Sequence, residues 1–442
     1  MTRISVLLFI LLLGQASALA ETFTAFADAN VISMVDDRIL FGHTVLVRNE
    51  LIFEVARSDQ LKLPEGTRRI DAKGKYLTPG LAEMHGHMQL PNGIPSSQYV
   101  TDMLFLYLAN GVTTVRGMLG GGGQFELREM IQNGEVAGPN LYLAGPGFTG
   151  GSISSPKQAS RRVVQQFNEG WDLLKVLPGL TTAEYDAMAE TAHRLGIRFA
   201  GHVPQAVGLK HALQMGQHTF DHIDGYLEQL DFPAKAYVMT EMTHWAQQTK
   251  SSGAWIVPTL VVWDHIIGLS DPNEVIRWDE LRYWPKTQVD NWYRRQQRSH
   301  PDSSARRKEL QAYSAARSVL LKVLNDEGAG ILLGSDSPQA FSVPGFSIHR
   351  EMAAMVAAGM TTAEVLASGT RNIGTYLQGS KALGVIAPGN QADLILMHAN
   401  PLDDINNTRL IAGVMSRGLW LDSKTIEDRL DKIEENASGS GR

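Results

Sequence analysis

Leu77-Thr78-Pro79-Gly80-Leu81-Ala82-Glu83-Met84-His85-Gly86-His87 is where this 442-residue chain changes style. Residues 81–85 read as a short buried strand that closes on His85-Gly86-His87. Side chains two apart on a strand point to the same side, so one metal ion can meet both imidazoles. Upstream, the segments 24–26, 31–34, 43–47 and 51–55 are β-branched or alternating and are separated by Asp, Asn and Gly turns, as short strands are. Downstream, apolar strands recur at 112–116, 141–144, 173–176, 197–202, 219–223, 255–261 and 330–334, each followed by a helical pattern. With 81–85 they make eight, the count of a (β/α)8 TIM barrel, so the fold class expected is α/β with the barrel over residues 78–383. Thr181-Thr182-Ala183-Glu184 and Thr361-Thr362-Ala363-Glu364 mark helix starts with capping-box spacing. The longer gap before the last strand holds an insertion, 264–325, expected to be helical and able to cover the barrel mouth as a lid.

Strands of the earlier, shorter kind return at 392–397 and 411–415. Residues 21–77 and 384–425 are therefore expected to build one small β-sandwich domain from both ends, followed by a tail over 426–442 whose end, Ser438–Arg442, is polar and disordered. At the other end, Arg3, an apolar run from Val6 to Leu13 and Ala18-Leu19-Ala20 before Glu21 have the form of a secretory signal peptide over residues 1–20. The run is shorter than the ~20 apolar residues of a spanning helix. The protein is thus expected to be exported, periplasmic or secreted, with no stable membrane insertion after cleavage.

Composition narrows the chemistry. The chain has no cysteine, which removes disulfides, thiolate zinc sites, iron–sulfur clusters and cysteine nucleophiles together. Any metal must be held by nitrogen and oxygen. A formal charge of −6 argues against a general nucleic-acid binder, and the basic stretch 294–308 reads as a solvated helical face. Gly120–Gly123 lacks the Lys-Ser/Thr of a phosphate loop and reads as a mobile loop at the mouth. The partner implied is a small-molecule substrate; homo-oligomerisation stays open.

In a barrel of this kind function gathers at the C-terminal ends of the strands. Those ends carry His85, His87, Lys175, His202, His222 and Asp336. Taken singly, each has a structural explanation: a hydrogen-bonded core histidine, a snorkelling lysine, a capping aspartate. Taken together they do not, because structural histidines have no reason to collect at strand ends. Neutral imidazole and carboxylate hold zinc or a similar divalent ion at about 2.0–2.2 Å and leave a position for water. An ammonium is a poor ligand, but a lysine amine that has added carbon dioxide can bridge two cations as a carboxylate does. The cofactors expected are two divalent ions, zinc first among them, with Lys175 N6-carboxylated. Two such ions share a water, lower its pKa and polarise a scissile carbonyl. Asp336 is placed to take the water's proton and hand it to the leaving nitrogen or oxygen.

Leu77 to His87, together with Gly111-Val112-Thr113-Thr114-Val115-Arg116, Leu174-Lys175-Val176, Gly201-His202-Val203-Pro204, His222-Ile223-Asp224-Gly225-Tyr226 and Leu333-Gly334-Ser335-Asp336, resembles the amidohydrolase superfamily. These are binuclear metal barrels, and the similarity is to the branch near imidazolonepropionase and the prolidase-like metallo-carboxypeptidases. Gly384-Val385-Ile386-Ala387-Pro388-Gly389 with Ala392-Asp393-Leu394 is similar to the family's closing β segment, so the resemblance runs from about residue 24 to 422. It implies that His85, His87 and Asp336 serve the more buried metal, His202 and His222 the other, and carboxylated Lys175 both.

Peptide-hydrolysing members often carry a histidine in the loop after the third strand. Here that loop is Gly145-Pro146-Gly147-Phe148-Thr149-Gly150-Gly151-Ser152, which departs from the pattern. Tyr226 matches a position able to reach a substrate carboxylate or carbonyl, and His349 follows the catalytic strand within reach of substrate. The function expected is an exported metal-dependent amidohydrolase cleaving an amide-type C–N bond of an N-acyl amino acid, dipeptide or cyclic amide. A lactonase, esterase or phosphotriesterase using the same site is the alternative, and a metal-dependent binding protein without catalysis the third reading.

Overall fold

Five strands open the chain: β1 (Phe23–Ile32), β2 (Ile39–Arg48), β3 (Leu51–Arg57), β4 (Arg68–Asp71) and β5 (Tyr76–Pro79). The structure is a computed structural model that describes residues 21–36, 38–233, 235–377 and 383–439; the leader expected over 1–20 lies outside them. Alternation beginning with the strand of the His85 segment then supplies β6 (Leu81–Gly86), β7 (Val112–Gly117), β8 (Asn140–Leu143), β9 (Leu173–Val176), β10 (Arg198–Gly201), β11 (Thr219–Asp221), β12 (Trp255–Val257) and β13 (Gly330–Ile331). Three strands close the chain, β14 (Leu394–Met397), β15 (Ile411–Ser416) and β16 (Leu419–Asp422).

Strands from the two ends join in one sheet, in the order β16-β15-β14-β5-β1-β2-β3, with β4 paired to β1. Its core is apolar: Phe26, Val31, Val45, Leu77, Leu394, Leu396 and Met415 are buried together. Phe26 from the first strand meets Trp420 from the last edge to face, ring centroids 5.1 Å apart. Burying such a side chain contributes about 1.5–3 kcal/mol, so the two ends are held by the hydrophobic effect rather than by chain connectivity.

The strands from β6 to β13 are parallel and lie in two sheets, β6-β7-β8 and β9 to β13, instead of one continuous ladder. Isolated bridges and hydrogen bonds mark the seams: Ala144 with Leu173 and Phe148 with Val176 on one side, and on the other Met84 N–H donating to Leu333 O at 2.9 Å and His87 N–H to Ser337 O at 2.8 Å. Several expected strands are trimmed at the mouth. Residues 258–261 leave β12 for the helix Leu260–Ile266, and only Gly330 and Ile331 ladder in β13. The ends of the glycine run pack closely, since a Cβ on Gly120 would stand 2.5 Å from the Gly145 carbonyl carbon and one on Gly123 2.3 Å from Gly93 O, while Gly121 and Gly122 between them are exposed.

The insertion is helical, with Pro272–Val275, Lys286–Ser299 and Ser304–Asp326. Arg294, Arg295, Arg298, Arg306, Arg307 and Lys308 on it are exposed. Most of the expected tail is a helix, Ser423–Gly439, which takes in Ser438 and Gly439 of the end expected to be disordered; residues 440–442 lie outside the described ones. Ile426, Leu430, Ile433 and Ala437 recur at helical spacing and pack inward, while Arg429 bonds Asp102 on the helix Gln98–Ala109 at 2.5 Å. No helix among the described residues is long and apolar enough to cross a membrane.

Candidate metal centre

All six expected side chains meet at one end of the parallel strands. β6 carries His85 and leads into His87; β9 carries Lys175; β10 and β11 stop one residue before His202 and His222; Asp336 lies beyond β13. His85, His87 and Asp336 offer ligand atoms that all lie within 4.8 Å of one another. His87 Nε2 is 2.7 Å from Asp336 Oδ1, and His85 Nε2 is 3.7 Å from the same oxygen. Lys175 Nζ is 3.2 Å from His85 Nε2. The His222 ring extends the group, 4.6 Å from the His85 centroid and 4.7 Å from that of His202. His87 and His202 keep 19% and 18% of their side-chain surface exposed, and the other four groups are buried. The cluster thus opens to solvent on the His87 and His202 side.

Two imidazoles are hydrogen-bonded through Nδ1, and the Nδ1 of a third faces a carboxylate. His202 Nδ1 pairs with Asp224 Oδ2 at 2.5 Å, His222 Nδ1 with Thr259 Oγ1 at 2.7 Å, and His85 Nδ1 stands 3.0 Å from Asp221 Oδ2. Partners of this kind set ring orientation and leave Nε2 for a metal. The donor set fits divalent ions: buried imidazoles with oriented rings, one carboxylate, and a lysine amine in their midst. Sequence reasoning assigned no role to Asp221, Asp224 or Thr259. Acidic residues on both sides of a strand-end histidine, as in Asp221-His222-Ile223-Asp224, were the available signal.

Beneath the cluster, Glu83 ties the first strand to the last. Its Oε1 accepts from His85 N–H at 2.9 Å and Ser335 N–H at 2.8 Å, and its Oε2 accepts from the Ser335 hydroxyl. Arg116 on β7 spans the interior, donating to Met84 O at 2.6 Å and to Asp221 Oδ1 at 3.3 Å. The backbone is strained where these groups are presented. His222, Ile223, Thr259 and Asp336 have φ of +62°, +55°, +46° and +60°, a region that costs a non-glycine residue of order 1–3 kcal/mol and is held only by its surroundings.

Burial governs the charges. It holds His85 down to about 4, aided by nearby Lys175, and lowers Lys175 itself despite Asp221 and Asp336. It pushes Glu83 up to about 8 against the hydrogen bonds from Ser335. Burial also works to raise Asp336, but His85 and the His87 hydrogen bond outweigh it and keep the carboxyl below its usual range. The centre therefore offers the buried His85 and His222 imidazoles in their neutral form, a carboxylate, and an amine biased toward its uncharged form.

The structure does not bring Tyr226 or His349 to this cluster. Tyr226 is buried, and its hydroxyl pairs with Thr249 at 2.6 Å, because the short helix Tyr226–Gln229 turns that side chain toward the helix Met239–Ser252. His349 is buried on the helix Phe346–Ala357, with Nδ1 2.9 Å from Thr408 Oγ1 in the turn Ile405–Arg409.

The chain matches the model of the amidohydrolase family over residues 76–421, and it belongs to that family. It is a hydrolase acting on carbon–nitrogen bonds, and its family implies a divalent metal site, for which the His85–His87–Asp336 cluster stands ready. Among solved structures it is similar to a Xaa-Pro dipeptidase with methionine in its active site, with 21% identity, TM-score 0.68 and coverage of 91% of this chain and 100% of that one. It is similar also to the bottromycin amidohydrolase, with 21% identity, TM-score 0.75 and coverage of 93% and 90%. The A. niger ochratoxinase matches with 18% identity, TM-score 0.67 and coverage of 91% and 96%. No curated protein matches the chain by sequence.

Proposed function

We propose that the protein is an exported amidohydrolase that cleaves an amide-type C–N bond of a small molecule: an N-acyl amino acid, a dipeptide or a cyclic amide. The observation that carries this is Asp336, whose carboxylate lies 2.7 Å from His87 Nε2 and 3.7 Å from Nε2 of the buried, neutral His85. In this reading the three-stranded and five-stranded sheets are halves of one (β/α)8 barrel. His85, His87 and Asp336 hold one divalent ion, His202 and His222 a second, and N6-carboxylated Lys175 serves both, with zinc the ion of choice for nitrogen and oxygen donors. When bound, two such ions polarise a carbonyl and bring the pKa of a water toward neutrality. The lysine reading is supported by burial, which favours the uncharged amine needed to add carbon dioxide.

The chain's own groups do the rest. Asp336 accepts the proton of the attacking water on a carboxylate oxygen and delivers it to the leaving nitrogen, which departs as a neutral amine. Asp221, Asp224 and Thr259 keep the imidazoles from turning while this happens. Among the substrate classes, the similarity to a Xaa-Pro dipeptidase favours testing dipeptides first, whereas the loop 145–152 lacks a histidine to hold a peptide carboxylate. Export rests on Arg3, the apolar run from Val6 and Ala18-Leu19-Ala20.

The test is to assay zinc-loaded protein lacking residues 1–20 on dipeptides, N-acyl amino acids and cyclic amides, with lactones and paraoxon-like esters in parallel. Turnover confined to the amide panel is the expected result. Turnover confined to lactones or phosphotriesters refutes the amide reading and leaves the metal site intact. Export is tested separately, by the N-terminal residue of protein recovered from periplasm or medium; Glu21 is expected.

A further inference from the structure

The insertion between β12 and β13 reaches the metal centre through one side chain. Arg317 lies on the helix Ser304–Asp326 and is 2% exposed. It donates to two backbone carbonyls at the strand ends, Nη1 to His222 O at 2.5 Å and Nη2 to Pro258 O at 3.1 Å. Its guanidinium also lies over the Trp263 ring, 4.9 Å from the centroid. That ring stacks on the His222 imidazole, centroids 5.4 Å apart and planes 22° from parallel. Trp263 is held in turn, because Glu351 accepts from Leu260 N–H at 2.7 Å and Val261 N–H at 3.0 Å at the start of the helix Leu260–Ile266.

A buried guanidinium is an expensive way to fill space. Taking it out of water costs several kcal/mol unless its donors are satisfied, and an apolar side chain of similar volume avoids that cost. Arg317 makes no ion pair among the described residues; Asp224, Asp264 and Glu351 face it from farther off, with Tyr313 nearby. What its two donors do is hold carbonyls, and one of these belongs to a residue with a left-handed φ of +62° followed by another at +55°. Such a pair stays put only where the surroundings over-determine it. With Thr259 on Nδ1, Trp263 against the ring and Arg317 on the carbonyl, His222 has one nitrogen free and little rotation left.

We propose that Arg317 is a positioning residue of the metal centre: from the insertion, it sets the His222 imidazole for a divalent ion. This rests on the two-ion reading above. The role makes the insertion part of the site, because residues 95 positions apart in sequence then fix one ligand.

The experiment uses zinc-free full-length protein. Zinc affinity is measured by competition with a chromophoric chelator, and the cobalt-substituted protein gives a visible ligand-field spectrum. Arg317→Met removes both donors, Arg317→Lys keeps one, and Thr259→Val removes the acceptor on the ring. Expected is a loss of zinc affinity of about 10–100-fold for Arg317→Met and an intermediate loss for Arg317→Lys, the range typical of groups that orient a ligand. The cobalt spectrum of the folded protein changes with it, which loss of packing alone does not produce. Because Thr259 and Arg317 act on the same ring, Thr259→Val with Arg317→Lys should lose less than the product of the single losses. If Arg317→Met fails to fold, the lysine and Thr259 variants carry the comparison. Wild-type zinc affinity and cobalt spectrum in Arg317→Lys, or fully multiplicative losses with Thr259→Val, overturn the positioning role. If His222→Ala leaves zinc affinity unchanged, it is the two-ion reading that falls.

Discussion

Gly201→Ala is expected to destabilise the protein by several kcal/mol and to disturb Lys175. Gly201 closes β10, which pairs with β9 and β11 on either side, and it precedes His202. Its φ of +126° is one that alanine rarely adopts. A Cβ there would stand 2.4 Å from Val176 O, 3.0 Å from Lys175 Cδ and 3.2 Å from Lys175 Cε. The carbonyl cannot swing aside freely, because it already accepts from His202 N–H at 3.1 Å. Backbone strain at such a φ costs of order 1–3 kcal/mol. Overpacking against a fixed carbonyl costs about 1–3 kcal/mol more. The sum, roughly 2–6 kcal/mol, is a large part of the 5–15 kcal/mol that holds an ordinary domain together. Urea unfolding of zinc-free protein at 25 °C measures it, with zinc binding measured on the folded variant. A variant within about 0.5 kcal/mol of wild type, the range of an innocuous surface change, refutes the close-approach argument.

Asp336→Asn keeps the shape of the side chain but cannot accept a proton, so kcat is expected to fall by about 10²–10⁴; full activity in zinc-loaded variant removes Asp336 from the proton path. Glu83 has its folded-state pKa raised to about 8 from 4.5, so the stability it gives by staying protonated is complete below 4.5 and is lost as pH rises through about 8. Glu83→Gln, which cannot ionise, should therefore flatten the fall in unfolding free energy of zinc-free protein between pH 5 and pH 8; an unchanged slope in urea titrations at those two values contradicts a buried neutral Glu83. Tyr226→Phe should cost about 0.5–1.5 kcal/mol of stability for the lost Thr249 hydrogen bond and leave KM unchanged. A large rise in KM would return Tyr226 to the substrate.

The alternation of strand and helix after Leu81 was legible because each element carries its own period. The His85-Gly86-His87 pair was legible because strand geometry relates residues two apart without reference to the rest of the fold. The helix Ser423–Gly439 was legible too, in the spacing of Ile426, Leu430, Ile433 and Ala437, but its polar end masked that stripe. β4 was not: Arg68-Arg69-Ile70-Asp71 has no strand signature and takes its conformation from β1 beside it.

By itself, then, the sequence determined which six polar side chains stand at strand ends, since strand boundaries and chemistry are local properties. The tertiary structure decided what orients them. Glu83 meets Ser335 252 positions away, His222 meets the Thr259 hydroxyl and the Arg317 guanidinium, and Tyr226 and His349 turn to Thr249 and Thr408 instead of the metal cluster. A hydrogen-bond partner is fixed by how distant segments pack, and no period or propensity along the chain encodes it.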